Sequence, residues 1–240
     1  MRSKLIRLCQ MVLDGIYPRR CAICDRAIKV DDGICRWCEP KVEYLEGPLC
    51  MKCGKRLQHE GVMFCYDCKR TIKSYERGFA VFEYEYIKDS LYRFKYSGRA
   101  EYSRFYAMKA GKRLKEIFER IGVEVFIPVP IHSKRYRKRG YNQAEEFAKE
   151  LTKVTGIETR SDLVMRNANT VPLKRLSASE RQKNLEKAFK LNENDVKFRK
   201  VCIVDDIYTT GATIDSIATL LKKHGVREVY FVTIAIGRGV

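Results

Sequence analysis

Two groups of residues in this 240-residue chain have types and spacings that could do chemistry. The first is eight of the ten cysteines, arranged as Cys21-x-x-Cys24, Cys35-x-x-Cys38, Cys50-x-x-Cys53 and Cys65-x-x-Cys68. A two-residue spacer lets one turn of backbone present two sulfurs to a single ion, and Zn²⁺ takes four such sulfurs in a tetrahedron. Two Cys-x-x-Cys knuckles joined by a short hairpin make one ribbon, so the chain holds ligands for about two Zn²⁺. Gly33 and Gly54 stand where such turns bend. Short loops favour pairing the first knuckle with the second and the third with the fourth, with interleaved pairing as the alternative. Regular x₂ spacing and no secretory leader argue against a disulfide framework. Four sulfurs leave no open position for a catalytic water, so the zinc would be structural. Cys9 and Cys202 stand alone on apolar faces and read as core residues, and His59 is redundant beside four cysteines.

The second group is Asp205-Asp206-Ile207-Tyr208-Thr209-Thr210-Gly211-Ala212-Thr213. It follows the apolar run Val201–Val204, which has the pattern of a parallel strand buried on both faces. An amphipathic helix follows, with Ile214, Ile217, Ala218 and Leu221 on its apolar face and Gly225 at its end. Strand Glu228–Ile236 comes next. Amides at the start of the helix and the hydroxyls of Thr209, Thr210 and Thr213 could surround a phosphate. Gly211 lets the backbone approach that phosphate closely. Asp205 and Asp206 could accept hydrogen bonds from vicinal ribose hydroxyls at the end of the strand, where open α/β sheets bind ligands. A plain strand–turn–helix explains the threonines and the glycine, but not two adjacent acids after a buried run.

This segment resembles the signature by which type I phosphoribosyltransferases bind 5-phosphoribosyl-1-pyrophosphate (PRPP). Phe126-Ile-Pro-Val-Pro130, Arg139-Gly-Tyr-Asn-Gln143 and Arg181-x-x-Asn184 before Ala188-Phe189, with the cysteine ribbons ahead of them, are similar to the ComF branch of that family. The likeness covers nearly the whole chain, with one departure: Leu173 stands where the family often has Gln after Thr170-x-Pro172. The resemblance implies a mostly parallel sheet flanked by helices, joined to a small N-terminal zinc-ribbon module. It further implies PRPP held by Asp205–Thr213, Mg²⁺ accompanying its diphosphate, and Arg139 facing the pyrophosphate. Members are bacterial cytoplasmic proteins of natural transformation, with a competence helicase and a recombination mediator as implied partners.

The formal charge is +18, or about +14 once eight thiolates hold two Zn²⁺. Residues 74–200 carry 29 Lys and Arg against 17 Asp and Glu, whereas residues 201–240 carry four of each. Such a surplus suits a polyanionic partner. Its densest point is Lys134, Arg135, Arg137, Lys138 and Arg139, read as a basic loop after strand Val125–Val129 and before a helix starting near Asn142. One pyrophosphate cannot use five cations, so the first four are assigned to single-stranded DNA. Residues 75–106 hold 11 of the 26 aromatics among cations. They read either as a stacking surface for single strands or as a β-hairpin through Tyr86 followed by inward helix faces.

No apolar run approaches a membrane span. Residues 1–17 read as a short amphipathic helix, with the double zinc-ribbon module at 18–70 and the α/β domain at 75–240. Ser177-x-x-Glu180 reads as a capping box in a polar loop at 167–187 that could close over the ligand. Three functions follow: a PRPP-binding competence protein that handles single-stranded DNA, a phosphoribosyltransferase with an unidentified nucleophile, and a PRPP-sensing regulator on duplex DNA. A missing helix-turn-helix pattern counts against the third.

Overall fold

The computed structural model describes residues 18–28, 33–167, 188–192 and 196–237. The expected helix at 1–17, the closing loop with its capping box, and Leu173 lie outside them. A five-stranded parallel sheet organises the molecule: β1 (Arg77–Glu83), β2 (Val125–Pro128), β3 (Glu158–Thr159), β6 (Lys200–Tyr208) and β7 (Glu228–Ile236), in the order β1-β7-β6-β2-β3. A separate antiparallel pair joins β4 (Val164–Arg166) to β5 (Phe189–Leu191). The α/β class expected from the sequence is the one found.

Both faces of the sheet are covered, so its strands read as unbroken apolar runs. Phe126, Cys202, Val204 and Val232 face one layer: α2 (Tyr84–Tyr96), α3 (Tyr102–Ile121) and α5 (Gln143–Thr155). Val125, Ile127, Val201, Ile203 and Phe231 face α6 (Ala212–Lys223) and the second ribbon, which carries the short α1 (Tyr66–Arg70). Cys202 is fully buried in this core. The helix after the acid pair ends as its sequence suggests. Gly225 takes φ +96° and donates to Lys222, while Val226 donates to Leu221, which is the Schellman pattern.

The structure corrects three expectations. Residues 77–83 form one strand, not a hairpin, and pair in parallel with β7. Alternation defines a strand but not its partner, and here the partner lies some 150 residues downstream. Residues 133–139 are not a loop but a short helix, α4 (Ser133–Arg139). His132 Nδ1 accepts from the Lys134 amide at its start, and Gly140 closes it at φ +82°. The strand at Val201–Val204 continues through both acids to Tyr208.

Candidate functional site

The cysteines assemble into two sets, Cys21, Cys24, Cys35 and Cys38, and Cys50, Cys53, Cys65 and Cys68, with all four sulfurs of each set within 4.8 Å of one another. Pairing is therefore sequential. A Zn–S bond of about 2.3 Å implies sulfur–sulfur edges of about 3.8 Å. Cys24 and Cys35 stand 3.7 Å apart, and Cys53 and Cys65 stand 3.6 Å apart. Those are tetrahedral edges, far beyond the ~2.05 Å of a disulfide. Each ribbon also turns an amide onto a thiolate: Cys35 N donates to Cys21 Sγ and Cys65 N to Cys50 Sγ, both at 3.3 Å. The donor set fits structural zinc in both ribbons. His59 lies in neither set.

Asp205 and Asp206 sit where the sheet changes width. On one side of β6 the pairing with β2 stops at Pro128 opposite Val204; on the other, pairing with β7 runs on to Tyr208 opposite Ile236. The acids thus lie on a supported strand with one flank beyond its neighbour. Asp206 pairs with Lys95 at 2.9 Å. Asp205 Oδ1 accepts from the Asp206 amide at 2.8 Å. Burial first, and then the Asp206 charge, push the Asp205 carboxyl up to about 8, against the opposing pull of that amide, Lys95 and Arg166.

Beyond the acids, Ile207 packs against the core and Tyr208 is buried. Thr209 and Thr210 are exposed, Gly211 turns the chain at φ +75°, and Ala212 opens α6 with Thr213 in its first turn. Gly211, the N-cap residue, offers no side chain to the helix, and Thr210 Oγ1 accepts from the Ala212 amide at 3.5 Å. A Cβ on Gly211 would stand 2.4 Å from Tyr208 Oη, so both the turn and the space under it require glycine. The arrangement can present backbone amides, hydroxyls and carboxyl groups to a phosphorylated sugar.

Lys134, Arg135, Arg137 and Lys138 are all exposed on α4. Arg139 points elsewhere: its guanidinium lies over the Tyr96 ring at 4.9 Å and donates to Gln143 Oε1 at 2.7 Å. Tyr96 follows Lys95 on α2, which brings Arg139 to the same turn as the cation on Asp206. Most aromatics of 75–106 are core, including Tyr75, Phe82, Phe94, Tyr102, Phe105 and Tyr106. Tyr92 and Tyr96 are not; both are exposed, with ring centroids 5.0 Å apart, and Tyr136 on α4 is exposed as well.

Sequence reasoning missed two cations at the acids. Lys95 reads in the sequence only as one of the cations among the aromatics of 75–106, and its spacing gives no sign that it meets Asp206. Arg166, on β4, is half-buried over the Phe189 ring at 5.4 Å, close enough to Asp205 to feel its charge, and its buried Nε has no partner among the described residues. Burial and the neighbouring charge of Arg135 pull its pKa down, while Asp205 pulls it up. A basic residue inside a short β pattern, just after Leu163-Val164, was the only available signal.

A family model of the double zinc ribbon domain matches residues 12–69, and one of the phosphoribosyl transferase domain matches residues 137–239. Fold and cysteine sites together define a phosphoribosyltransferase-type α/β domain carrying a double zinc ribbon. Competence protein F of Haemophilus influenzae is 30% identical over 225 residues, covering 90% of this chain and 96% of that protein. The chain belongs to the ComF/ComFC family of competence proteins. Competence protein ComFC of Bacillus subtilis is 26% identical over 238 residues, covering 88% of this chain and 92% of its own. DNA utilization protein YhgH of Escherichia coli K12 is 27% identical over 226 residues, with 92% of each chain covered. No helix among the described residues is long and apolar enough to cross a membrane.

Proposed function

We propose that this chain is a cytoplasmic PRPP-binding protein of DNA uptake that handles single-stranded DNA during natural transformation. The observation that carries the PRPP half is the acid pair beyond the end of β2, followed by exposed Thr209 and Thr210 and the Gly211 turn at the start of α6. Asp206 and Asp205 would take the ribose hydroxyls, Thr209–Thr213 the 5′-phosphate, and Arg139, with Lys95 and Arg166, the pyrophosphate. Mg²⁺ would enter with the diphosphate. The DNA half rests on family membership and on the exposed cations of α4, which carries exposed Tyr136 and ends at Arg139 against the exposed Tyr96–Tyr92 pair, charge and stacking faces suited to single strands. A helicase and a recombination mediator are the proposed protein partners.

Calorimetric titration with PRPP–Mg²⁺, repeated with single-stranded DNA present, tests the reading. Wild type should bind, and changing both Asp205 and Asp206 to Asn should abolish or greatly weaken binding. Each charge-assisted hydrogen bond is worth about 1.5–3 kcal/mol. Unchanged affinity in a folded double variant would place the ligand elsewhere.

One observation favours catalysis as a second reading. A cavity of about 820 Å³ opens between the second ribbon and the ends of β1 and β7, lined by Arg56, Phe64, Tyr66, Glu83, Ile236 and Gly237. Gly237 donates to the Tyr208 carbonyl, so this space adjoins the proposed phosphate loop and could admit an acceptor nucleophile. Pyrophosphate release from PRPP on adding candidate acceptors would support the transferase reading; no release with any of them would count against it.

A further inference from the structure

Three consecutive residues, Ser74, Tyr75 and Glu76, leave the second ribbon and fasten onto the elements of the proposed phosphate loop. The Ser74 amide donates to Asp215 Oδ1 at 2.6 Å, and its hydroxyl lies 2.7 Å from that of Thr219, both on α6. Glu76 pairs with Lys222, near the other end of the same helix, at 2.6 Å. Between them, the Tyr75 hydroxyl lies 2.7 Å from the Tyr208 hydroxyl. Tyr208 is the residue directly before Thr209, and its ring is the surface on which the Gly211 turn rests.

The other side of this tyrosine pair is the metal knuckle. Tyr208 stacks flat on Phe231, with centroids 4.8 Å apart, and Tyr75 meets Phe231 edge-on at 4.9 Å. Lys52 Nζ lies 5.4 Å from the centre of the Tyr75 ring, and Lys55 Nζ lies 6.0 Å from that of Tyr208. These lysines flank Cys53. Lys55 is only 5% exposed and is held by Asp67 at 2.8 Å, between Cys65 and Cys68. The knuckle backbone is locked to the sheet as well: Lys52 O accepts from Gly78 N at 2.8 Å, and a Cβ on Gly54 would stand 2.8 Å from Gly78 O. The first ribbon docks elsewhere, through Asp25 on Arg99 and Tyr102 and through the Ile23 carbonyl on Arg93.

We infer that the second zinc ribbon is the footing of the PRPP loop, with Tyr75 and Tyr208 as the positioning residues that carry its order to Thr209–Thr213. A ribbon of this size has too small a core to hold its shape without its metal. Metal at Cys50, Cys53, Cys65 and Cys68 fixes Lys52 and Lys55, these fix the two rings, and the rings fix the turn. A loop already in its binding shape avoids the entropy of ordering it when ligand arrives. The inference rests on the PRPP reading only for which ligand benefits; the mechanical link does not depend on it.

The test is hydrogen exchange across residues 209–214 in the full chain, together with PRPP–Mg²⁺ titration. Three variants are compared with wild type: Cys65→Ser with Cys68→Ser, Cys24→Ser with Cys38→Ser, and Tyr208→Leu. The inference expects exchange at 209–214 to rise at least tenfold in the second-ribbon variant and in Tyr208→Leu, with PRPP affinity falling by a similar factor. The first-ribbon variant should leave both readings near wild type. Should a second-ribbon variant fail to fold, Tyr208→Leu and the milder Tyr75→Phe still decide the matter. Unchanged exchange at 209–214 in folded Tyr208→Leu, or equal effects from the two ribbons, would overturn the inference. Exchange needs no ligand, so a wild type that ignores PRPP would sink the functional reading while the exchange data still settle the link.

Discussion

Lys95 Nζ stands 2.9 Å from Asp206 Oδ2, and each side chain is only 17% exposed. A half-buried carboxylate in a site proposed to take a polyanion needs a cation beside it, or its own charge would repel that ligand. Lys95 supplies that cation and also lowers the cost of ionising Asp205. Replacing Lys95 with Gln should weaken PRPP binding by about tenfold or more, equivalent to about 1.4 kcal/mol. Titration calorimetry at fixed Mg²⁺ reads this directly, and unaltered affinity would leave the ion pair with a purely structural role.

Asp205 predicts a pH signature. Its carboxyl ionises near 4 in the unfolded chain and is pushed up to about 8 in the fold. Between those values the folded state holds a proton that the unfolded state has released. This group therefore destabilises the fold progressively as pH rises from about 4 to about 8. Asp205→Asn removes the titration. Its stability relative to wild type should rise across that window, at up to about 1.4 kcal/mol per pH unit. Urea denaturation at pH 5 and pH 8 checks it; a constant difference would mean that Asp205 is not held neutral by the fold.

Metal content gives a third expectation. Purified, reduced protein should carry about two zinc ions per chain, and Cys50→Ser or Cys21→Ser should each lose about one. Structural zinc contributes on the order of 10 kcal/mol to small modules at neutral pH. Loss at the second ribbon should also lower the thermal midpoint of the sheet, because its lysines lie over Tyr75 and Tyr208, whose rings pack on Phe231. Elemental analysis of each variant decides the stoichiometry, and disulfides within these pairs would refute it.

Glycine at 78 is where the second ribbon's backbone bonds to the sheet, through Lys52 O. A Cβ there would stand 1.9 Å from the Phe231 ring, so Gly78→Ala must displace the ring on which Tyr208 stacks. Overpacking of this kind costs about 1–3 kcal/mol. The expected loss is measured by chemical denaturation, and a change below about 0.5 kcal/mol would show that Phe231 can move freely.

These contacts show what could and could not be read from residues in order. Cysteine spacing specified the metal sites because the ligands are close in sequence, and only their pairing awaited coordinates. Val201–Leu221 was legible because strand, turn and helix are local. Tyr75 opposite Tyr208, Ser74 opposite Asp215 and Lys95 opposite Asp206 join residues more than a hundred positions apart, and no local pattern marks them. The strand at 77–83 looked like half of a hairpin because a strand's period is the same whether its partner follows at once or much later. Helix α4 has no apolar face, and its capping by His132 and Gly140 was the only cue that a run of cations would coil.

That helix makes the last prediction. Lys134, Arg135, Arg137 and Lys138 are exposed, with no buried residue on α4 to constrain them. If they contact a single strand through its phosphates, binding should weaken with salt at a slope of about −0.7 per phosphate neutralised. Changing all four to Ser should flatten the slope by about two contacts or more, with little dependence on DNA sequence. Arg139 is left in place, because it stacks on Tyr96 and bonds Gln143. Tyr92→Ala with Tyr96→Ala should act differently: if bases stack there, affinity falls by about 1–3 kcal/mol per base with the salt slope unchanged. Fluorescence anisotropy of a labelled oligonucleotide from low to high salt separates the two effects. A quadruple variant with the wild-type slope would return α4 to an ordinary solvated face. A slope that disappears only when residues 18–70 are removed would move the DNA contacts to the ribbons.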